Sequence, residues 1–331
     1  MADTLPDRLN QVVHQFKIER YYPDFRALMG DAEIEVVAVC VPPQLHTEVA
    51  LAALEAEKHV FIEKPLALSL DQCDALIARA AHASQKVMVG FNLRWHRLLR
   101  RAQQAIQQEI MGPVQAVRTT FCSGIRFRRT LPEWRNQPTR GGGAIMEIAI
   151  HHFDLLRFLL QSEIEQVFAM PTFSEAVIET VSIAARMANG VQVTALFSEG
   201  IGDNHEVEIY GPAGRLQVSC YRFDGLDFFP TSSYPGSIGS RLRRLRRSIA
   251  ELPQGIASMR QGGDFMASYK AEWAHFSDCI QNNQPVASTL QDGRRALQVA
   301  LAAAESADQG CPLKVAQARP ELNAIRLESL T

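Results

Sequence analysis

Residues 34 to 91 alternate short apolar runs with amphipathic stretches: "IEVVAVCV" (34–41), a helical pattern from Thr47 to Glu57, "HVFI" (59–62), a second helix after Ser69, then "KVMVGF" (86–91). No other feature of the chain limits its fold as strongly. Short Val/Ile/Phe-rich runs are strands covered on both faces, and strands joined by helices run parallel with right-handed crossovers. Ser69 with Gln72 three residues on reads as a capping box, which starts the second helix and leaves "EKPLAL" as the loop before it. Upstream, "KIERYY" (17–22) reads as a further short strand, followed by a short helix in "DFRALMG".

In a parallel sheet the carboxyl ends of the strands share one edge, and ligands bind beyond it. The loops at that edge are "PPQLH" (42–46), "EKP" (63–65) and "NLRWH" (92–96). Lys64 is therefore either a ligand-facing amine or a solvated turn lysine. Side chains alternate along an extended chain, so Glu63 and Lys64 face different ways and a local ion pair explains neither. His46 either caps the helix that follows it or faces the crevice.

After residue 92 the pattern changes. A helix carrying Leu98, Leu99, Ala102 and Ile106 precedes "GPVQAVRTTFCSG", "VIETVSIAARM", "GVQVTALFSEG" and "HEVEIYGPAGRLQVSCYR", which alternate as antiparallel strands with a hairpin turn at Asn189–Gly190. An Ala-rich helix, Asp292 to Ala307, closes the pattern. The expected class is α/β: a parallel sheet, then an α+β region with a large, mostly antiparallel open sheet. At 331 residues the chain is long enough for two such domains.

In "GGGAIMEIAIHHFDLLRFLL" (141–160), a helix from Ala144 stacks Glu147 and His151 one turn apart, with Asp154 on the same stripe. A carboxylate beside an imidazole can orient it as a general base for a hydroxyl proton; the same spacing also suits an ordinary helix-face pair. His151 and His152 are neighbours, so the four-residue spacing of a helical zinc motif is absent. The three glycines are either slack or a place where backbone approaches a ligand.

A formal charge of −2 and 21% charged residues give no polyanion signal, which argues against nucleic acid and membrane surfaces as partners. Six dispersed cysteines without a C-x-x-C pair read as buried thiols in a reducing compartment, and the polar, acidic start is no signal peptide; the expected location is cytoplasmic. "SRLRRLRRSIAEL" (240–252) holds five arginines within 241–247, yet Leu242, Leu245, Ile249 and Leu252 form a helical stripe, so a packed helix with a solvated basic face is expected.

Taken together, "CVPPQLHTEVALAALEAEKHVFIEKPLALS", "VGFNLRW", "PEWRNQPTRGGGAIMEIAIHHFDL" and "DGRRALQVALAAAESADQG" resemble the glucose-fructose oxidoreductase and inositol dehydrogenase family (Gfo/Idh/MocA) over essentially the whole chain. The resemblance implies a Rossmann NAD(P)-binding domain over 1–92 and a substrate-binding, oligomerising domain over 93–331. It also implies hydride transfer between nicotinamide and a secondary alcohol or ketone carbon of a sugar- or cyclitol-like small molecule, and a homo-oligomer, dimer or tetramer. By that resemblance Lys64 contacts the reacting hydroxyl and the nicotinamide ribose, with a Lys64–Pro65 bond often cis; His151 takes the proton. Glu147 stands where the family has aspartate, and Ala149 where it has glycine. Pro42, His46, Glu63 and Pro65 match the nicotinamide site, while Asn92, Arg94, Trp134 and Arg135 match the substrate pocket. A catalytically silent, ligand-binding relative is the alternative.

The resemblance also implies a strand, a G-x-G-x-x-G loop and a helix before the second strand, which this sequence lacks; Gly30 is its first glycine. "ADTLPDRL" matches the stretch just after the family's second strand, making Asp3 the acidic residue on the adenosine ribose and favouring NAD over NADP. The expectation is a truncated or mis-started version of a complete enzyme, binding dinucleotide poorly, with the strand at 17–22 lacking a proper neighbour.

Overall fold

The computed structural model describes residues 1–174, 177–234 and 236–321. Helix α1 (Pro6–Phe16) has proline at its first position and ends on Lys17 in the left-handed conformation. The short α2 (Phe25–Met29) is capped by Asp24, whose side chain accepts from the Arg26 amide. Between them the expected strand at 17–22 does not form. Lys17 is spent on closing α1 and the segment holds a single aliphatic residue, so only Tyr22 makes a parallel bridge, to Ala2. That bridge corrects the expectation of a missing neighbour: Tyr22 N–H donates to the Met1 carbonyl at 2.8 Å.

The alternating runs fold as expected. Strands β1 (Val36–Val39), β2 (His59–Glu63) and β3 (Val87–Gly90) pair in parallel in the order β1-β2-β3, joined by α3 (His46–Glu55) and α4 (Leu70–Ala81). Val37 lies beside Val60 and Val60 beside Val87; β3 is buried throughout, but β1 at the sheet edge buries Val37 and Val39 and leaves Ala38 exposed, so it is covered on one face rather than both. Ser69 caps α4 by accepting from the Gln72 amide, but the Gln72 side chain accepts from Leu68 N–H, one residue earlier than a reciprocal box requires.

From residue 92 the chain makes a 3-10 turn (Asn92–Trp95), helix α5 (Arg97–Gln107), strand β4 (Ala116–Cys122), the one-turn α6 (Ile125–Arg128) and helix α7 (Ile150–Leu160). Strands β5 (Ile164–Ser174), β6 (Val177–Met187), β7 (Gln192–Ser198), β8 (Asn204–Gly211), β9 (Gly214–Ser219) and β10 (Leu226–Pro230) follow. Helices α8 (Ile238–Ala250), α9 (Leu252–Arg260), α10 (Asp264–Gln281) and α11 (Leu290–Gln309) and strand β11 (Leu313–Lys314) complete the described elements. The large sheet has the order β10-β9-β8-β4-β7-β6-β5-β11 and is antiparallel except where β4 runs parallel to β7. The hairpin between β6 and β7 turns at Asn189–Gly190, where φ of +88° suits glycine.

The last helices return to the small sheet. Phe61 on β2 stacks on Trp273 of α10 at 4.4 Å, and Gly293 of α11 lies so close that a Cβ would sit 2.9 Å from Leu66. The seam is pinned by Arg94, which pairs bidentately with the buried Asp154 of α7 and reaches Asp292 in the capping box of α11. Arg94 is thereby taken from the expected substrate set, because its donors are engaged in this cluster.

Two surface expectations are corrected. The stripe Leu242, Leu245, Ile249 and Leu252 is not packed but exposed, since α8 meets the body through its polar side. The cysteines are free as expected, yet Cys40 and Cys311 are exposed: Cys40 shares the outward phase of β1 with Ala38, and Cys311 lies in the turn just after α11. Among the described residues no helix is long and apolar enough to cross a membrane.

Candidate active site

β2 delivers Lys64 to the sheet edge, and the Lys64–Pro65 peptide is cis. The loop is held from below by His46, whose Nδ1 lies 2.7 Å from the Pro65 carbonyl and Nε2 2.8 Å from that of Val41. The buried ring thus staples the loops 42–46 and 63–65 together and does not look into the crevice. Burial pushes its pKa down, and the two carbonyls pull against that shift. Pro42 leads into the 3-10 turn Pro43–Leu45, and Pro43 packs against Gly141.

Lys64 meets the other sheet's helices directly. Its Nζ donates to the Glu147 carbonyl at 2.9 Å and stands 3.6 Å from the Glu147 carboxylate. Glu147 belongs to a π-helical turn, Ile145–Ala149, that runs into α7, so the continuous α-helix expected from Ala144 is interrupted where the chemistry-bearing residues sit. The expected orientation of His151 by Glu147 is not made. The carboxylate is drawn instead to Arg135 at 2.8 Å and to Lys64, while His151 Nδ1 is buried without a hydrogen-bond partner. Burial, then the charges of Lys64 and His152, hold the His151 pKa well below the ordinary histidine range. The imidazole is neutral at pH 7, the form that accepts a proton.

Beyond Arg135 an alternating ion ladder continues: Arg135 pairs with Glu199, and Glu199 with Arg126 at 3.1 Å. Glu199 is wholly buried. The sequence contains the signal for it, because Val193, Ala195, Phe197 and Glu199 share one phase of β7 and its extension, which sets a carboxylate in the buried row. The glycine loop approaches protein: a Cβ on Gly142 would fall 2.3 Å from the Arg135 carbonyl oxygen. Trp134 is partly exposed, its ring 6.0 Å from the Arg135 guanidinium.

Asn92 is buried and donates to Ser268 Oγ at 2.9 Å, leaving its Oδ1 without a partner. Glu63 lies over Gly90, and burial raises its pKa. Behind it, Glu272 of α10 is buried with neither oxygen in a well-formed hydrogen bond. Asp3 is apart from this group, at the amino end of the chain; its carboxylate accepts from Arg8 and from the Leu5 amide. His152, which the sequence presents only as a neighbour of His151, is wholly buried in a polar chain. Thr119 donates to the Glu206 carbonyl and so accepts from His152 Nδ1–H, which leaves His152 Nε2 bare to accept from His205 at 3.0 Å.

A lysine on the edge loop of a three-stranded parallel sheet thus meets the turn leading into a histidine-bearing helix beside a broad open sheet, at the strand-end crevice where ligands of parallel sheets bind. Residues 1–91 match the family model described as an oxidoreductase family with NAD-binding Rossmann fold, and residues 99–217 match the GFO/IDH/MocA C-terminal domain. The chain belongs to the GFO/IDH/MocA oxidoreductase family.

It is 27% identical to myo-inositol 2-dehydrogenase of Thermotoga maritima, an alignment covering 95% of this chain and 90% of the relative. To scyllo-inositol 2-dehydrogenase (NAD(+)) of Bacillus subtilis it is 26% identical, over 95% and 87%. Among solved structures, levoglucosan dehydrogenase in complex with NADH and levoglucosan superposes with a TM-score of 0.77 at 22% identity, over 96% of this chain and 89% of that one. The fold is thereby shared.

Proposed function

We propose that this protein transfers hydride between the nicotinamide of NAD or NADP and a secondary alcohol or ketone carbon of a sugar- or cyclitol-like molecule. The observation that carries the reading is the meeting of Lys64 from the small parallel sheet with the Glu147–His151 segment that leads into α7. Named relatives that act on inositols, and one that acts on levoglucosan, support the substrate class.

The residues at the sheet edge fit the nicotinamide end of the cofactor. Lys64 and Glu63 stand at the strand ends, and the unpartnered Asn92 Oδ1 and His151 Nδ1 are polar atoms that burial leaves unsatisfied. None of the 331 residues forms a G-x-G-x-x-G loop, so no residue is assigned to the pyrophosphate. Asp3 is retained for the adenosine ribose because its partner Arg8 is an exposed side chain that a ligand hydroxyl can displace, unlike the buried Arg94–Asp154 pair; a carboxylate there favours NAD. When bound, nicotinamide supplies the hydride acceptor or donor. Neutral His151 takes the hydroxyl proton, and Lys64 holds the oxygen and stabilises its negative charge. Arg135, held by Glu147 and Glu199, orients the polyol with Trp134 beside it. The division at residue 92, homo-oligomerisation and a cytoplasmic location belong to the same reading, and the buried free thiols support a reducing compartment.

The test is turnover of a panel of sugars and cyclitols with NAD and NADP, for this chain and for a form extended into upstream in-frame codons, alongside Lys64→Ala and His151→Ala. Turnover lost by about 100-fold or more in each variant is expected. Saturable sugar binding without turnover in either form would favour a silent binding protein.

A further inference from the structure

The helix pair α8–α9 is turned inside out. On α8 the polar side faces the body: Ser248 Oγ donates to Asp224 at 2.6 Å, Arg247 donates to the Asp224 carbonyl at 3.0 Å and pairs with Asp227 at 3.1 Å, and Arg244 stands 3.5 Å from Asp227. The opposite stripe, Ile238, Leu242, Leu245 and Ile249, points into solvent with every side chain at least half exposed. α9 repeats the arrangement. Gly255 and Ser258 are its buried residues, Gly255 so close to Phe223 that a Cβ would lie 2.6 Å from the ring, while Leu252, Ile256 and Met259 lie outside. The arginines are satisfied by Asp227, whereas a continuous aliphatic stripe turned to water is unfavourable unless it is covered.

We propose that a second copy of this chain covers it, with the α8 helices packed antiparallel about a two-fold axis. Seven large side chains, half to three-quarters exposed, amount to several hundred Å², the scale of the roughly 800 Å² per partner that a specific dimer buries. A stripe at helical spacing is self-complementary under a two-fold, since its ridges fit the grooves of its own copy. The charges exclude a lipid surface as the better fit. An interfacial helix presents its cationic face to anionic headgroups, but here Arg244 and Arg247 are committed inward to Asp227 and the whole chain carries −2. Arg241 and Arg246, both exposed at the edges of the stripe, keep their heads in water at the rim.

Sedimentation of the full chain and of Leu242→Glu/Leu245→Glu tests the proposal. The expected result is a wild-type assembly of two or more copies whose mass halves in the variant while circular dichroism and Tm stay native. A second set makes the test independent of that variant's folding: Leu242→Cys, Leu245→Cys and Ile249→Cys, each with Cys40→Ser and Cys311→Ser, should include a position that oxidises to a covalent dimer. An unchanged mass in the folded glutamate variant, or no covalent dimer at any of the three positions, overturns it. So does a monomeric wild type that co-sediments with phosphatidylserine vesicles.

Discussion

Glu272 offers a prediction whose size follows from its surroundings. The residue is 1% exposed, neither carboxyl oxygen makes a well-formed hydrogen bond, the Phe91 backbone and Arg94 favour the charged form less than burial opposes it, and the charge of Glu63 lies nearby. Burial first, then Glu63, raises its pKa from 4.5 to about 9, so the folded protein holds a proton that the unfolded chain has released. The sign follows: a group with a raised folded pKa contributes stability fully below about pH 4, and that contribution is lost as pH climbs through 9. One proton difference corresponds to about 1.4 kcal/mol per pH unit, hence roughly 2–3 kcal/mol between pH 6 and pH 8. Glu272→Gln keeps the shape of the neutral acid and removes the titration. Urea unfolding of both proteins at the two pH values isolates this group, because the other groups cancel in the comparison. The variant should gain roughly 2–3 kcal/mol on the wild type as pH rises from 6 to 8. Parallel pH dependences would show that Glu272 is already ionised and refute the reasoning.

Arg94→Met should destabilise the protein by about 3–5 kcal/mol, since it leaves Asp154 buried with only Arg157 at 3.5 Å; Arg94→Met/Asp154→Leu should recover most of the loss in urea unfolding. Gly142→Ala places a methyl against the Arg135 backbone and should cost about 1–3 kcal/mol in thermal unfolding, with a loss of turnover larger than that of Gly202→Ala, whose Cβ meets nothing within 4 Å. The His151 imidazole should stay neutral in an NMR titration from pH 8 to pH 5.5. Lys64→Met should move its midpoint upward by removing a cation, whereas a midpoint near 6.5 in the wild type would contradict the buried, cation-facing site.

Elements that express a period were legible in the sequence. The three parallel strands, the long helix of Leu290–Gln309 and the Asn189–Gly190 hairpin are stated by local pattern and turn chemistry, although β1 keeps one face exposed. The approach of Lys64 to the Glu147–His151 segment was legible only through family resemblance, because no local rule relates residues 83 positions apart. What the sequence hid were choices among partners. Glu147 has His151 one turn away but pairs with two cations from other elements, and Asp154 on the same stripe turns to Arg94. The π-turn at Ile145–Ala149 has no compositional mark. For α8, periodicity identified the apolar stripe correctly but not its direction, since Asp224 and Asp227 on the body select the arginine side.

The return of α10 and α11 to the three-stranded sheet bears on the order in which the molecule is made. A ribosome releases β3 long before Trp273 and Gly293, so the nascent sheet waits with Phe61, Leu66 and Val89 uncovered while the larger sheet is still being synthesised. Its final consolidation is tied to completion of the polypeptide, and chains released before α11 would carry a sticky, half-built nucleotide fold for chaperones to intercept.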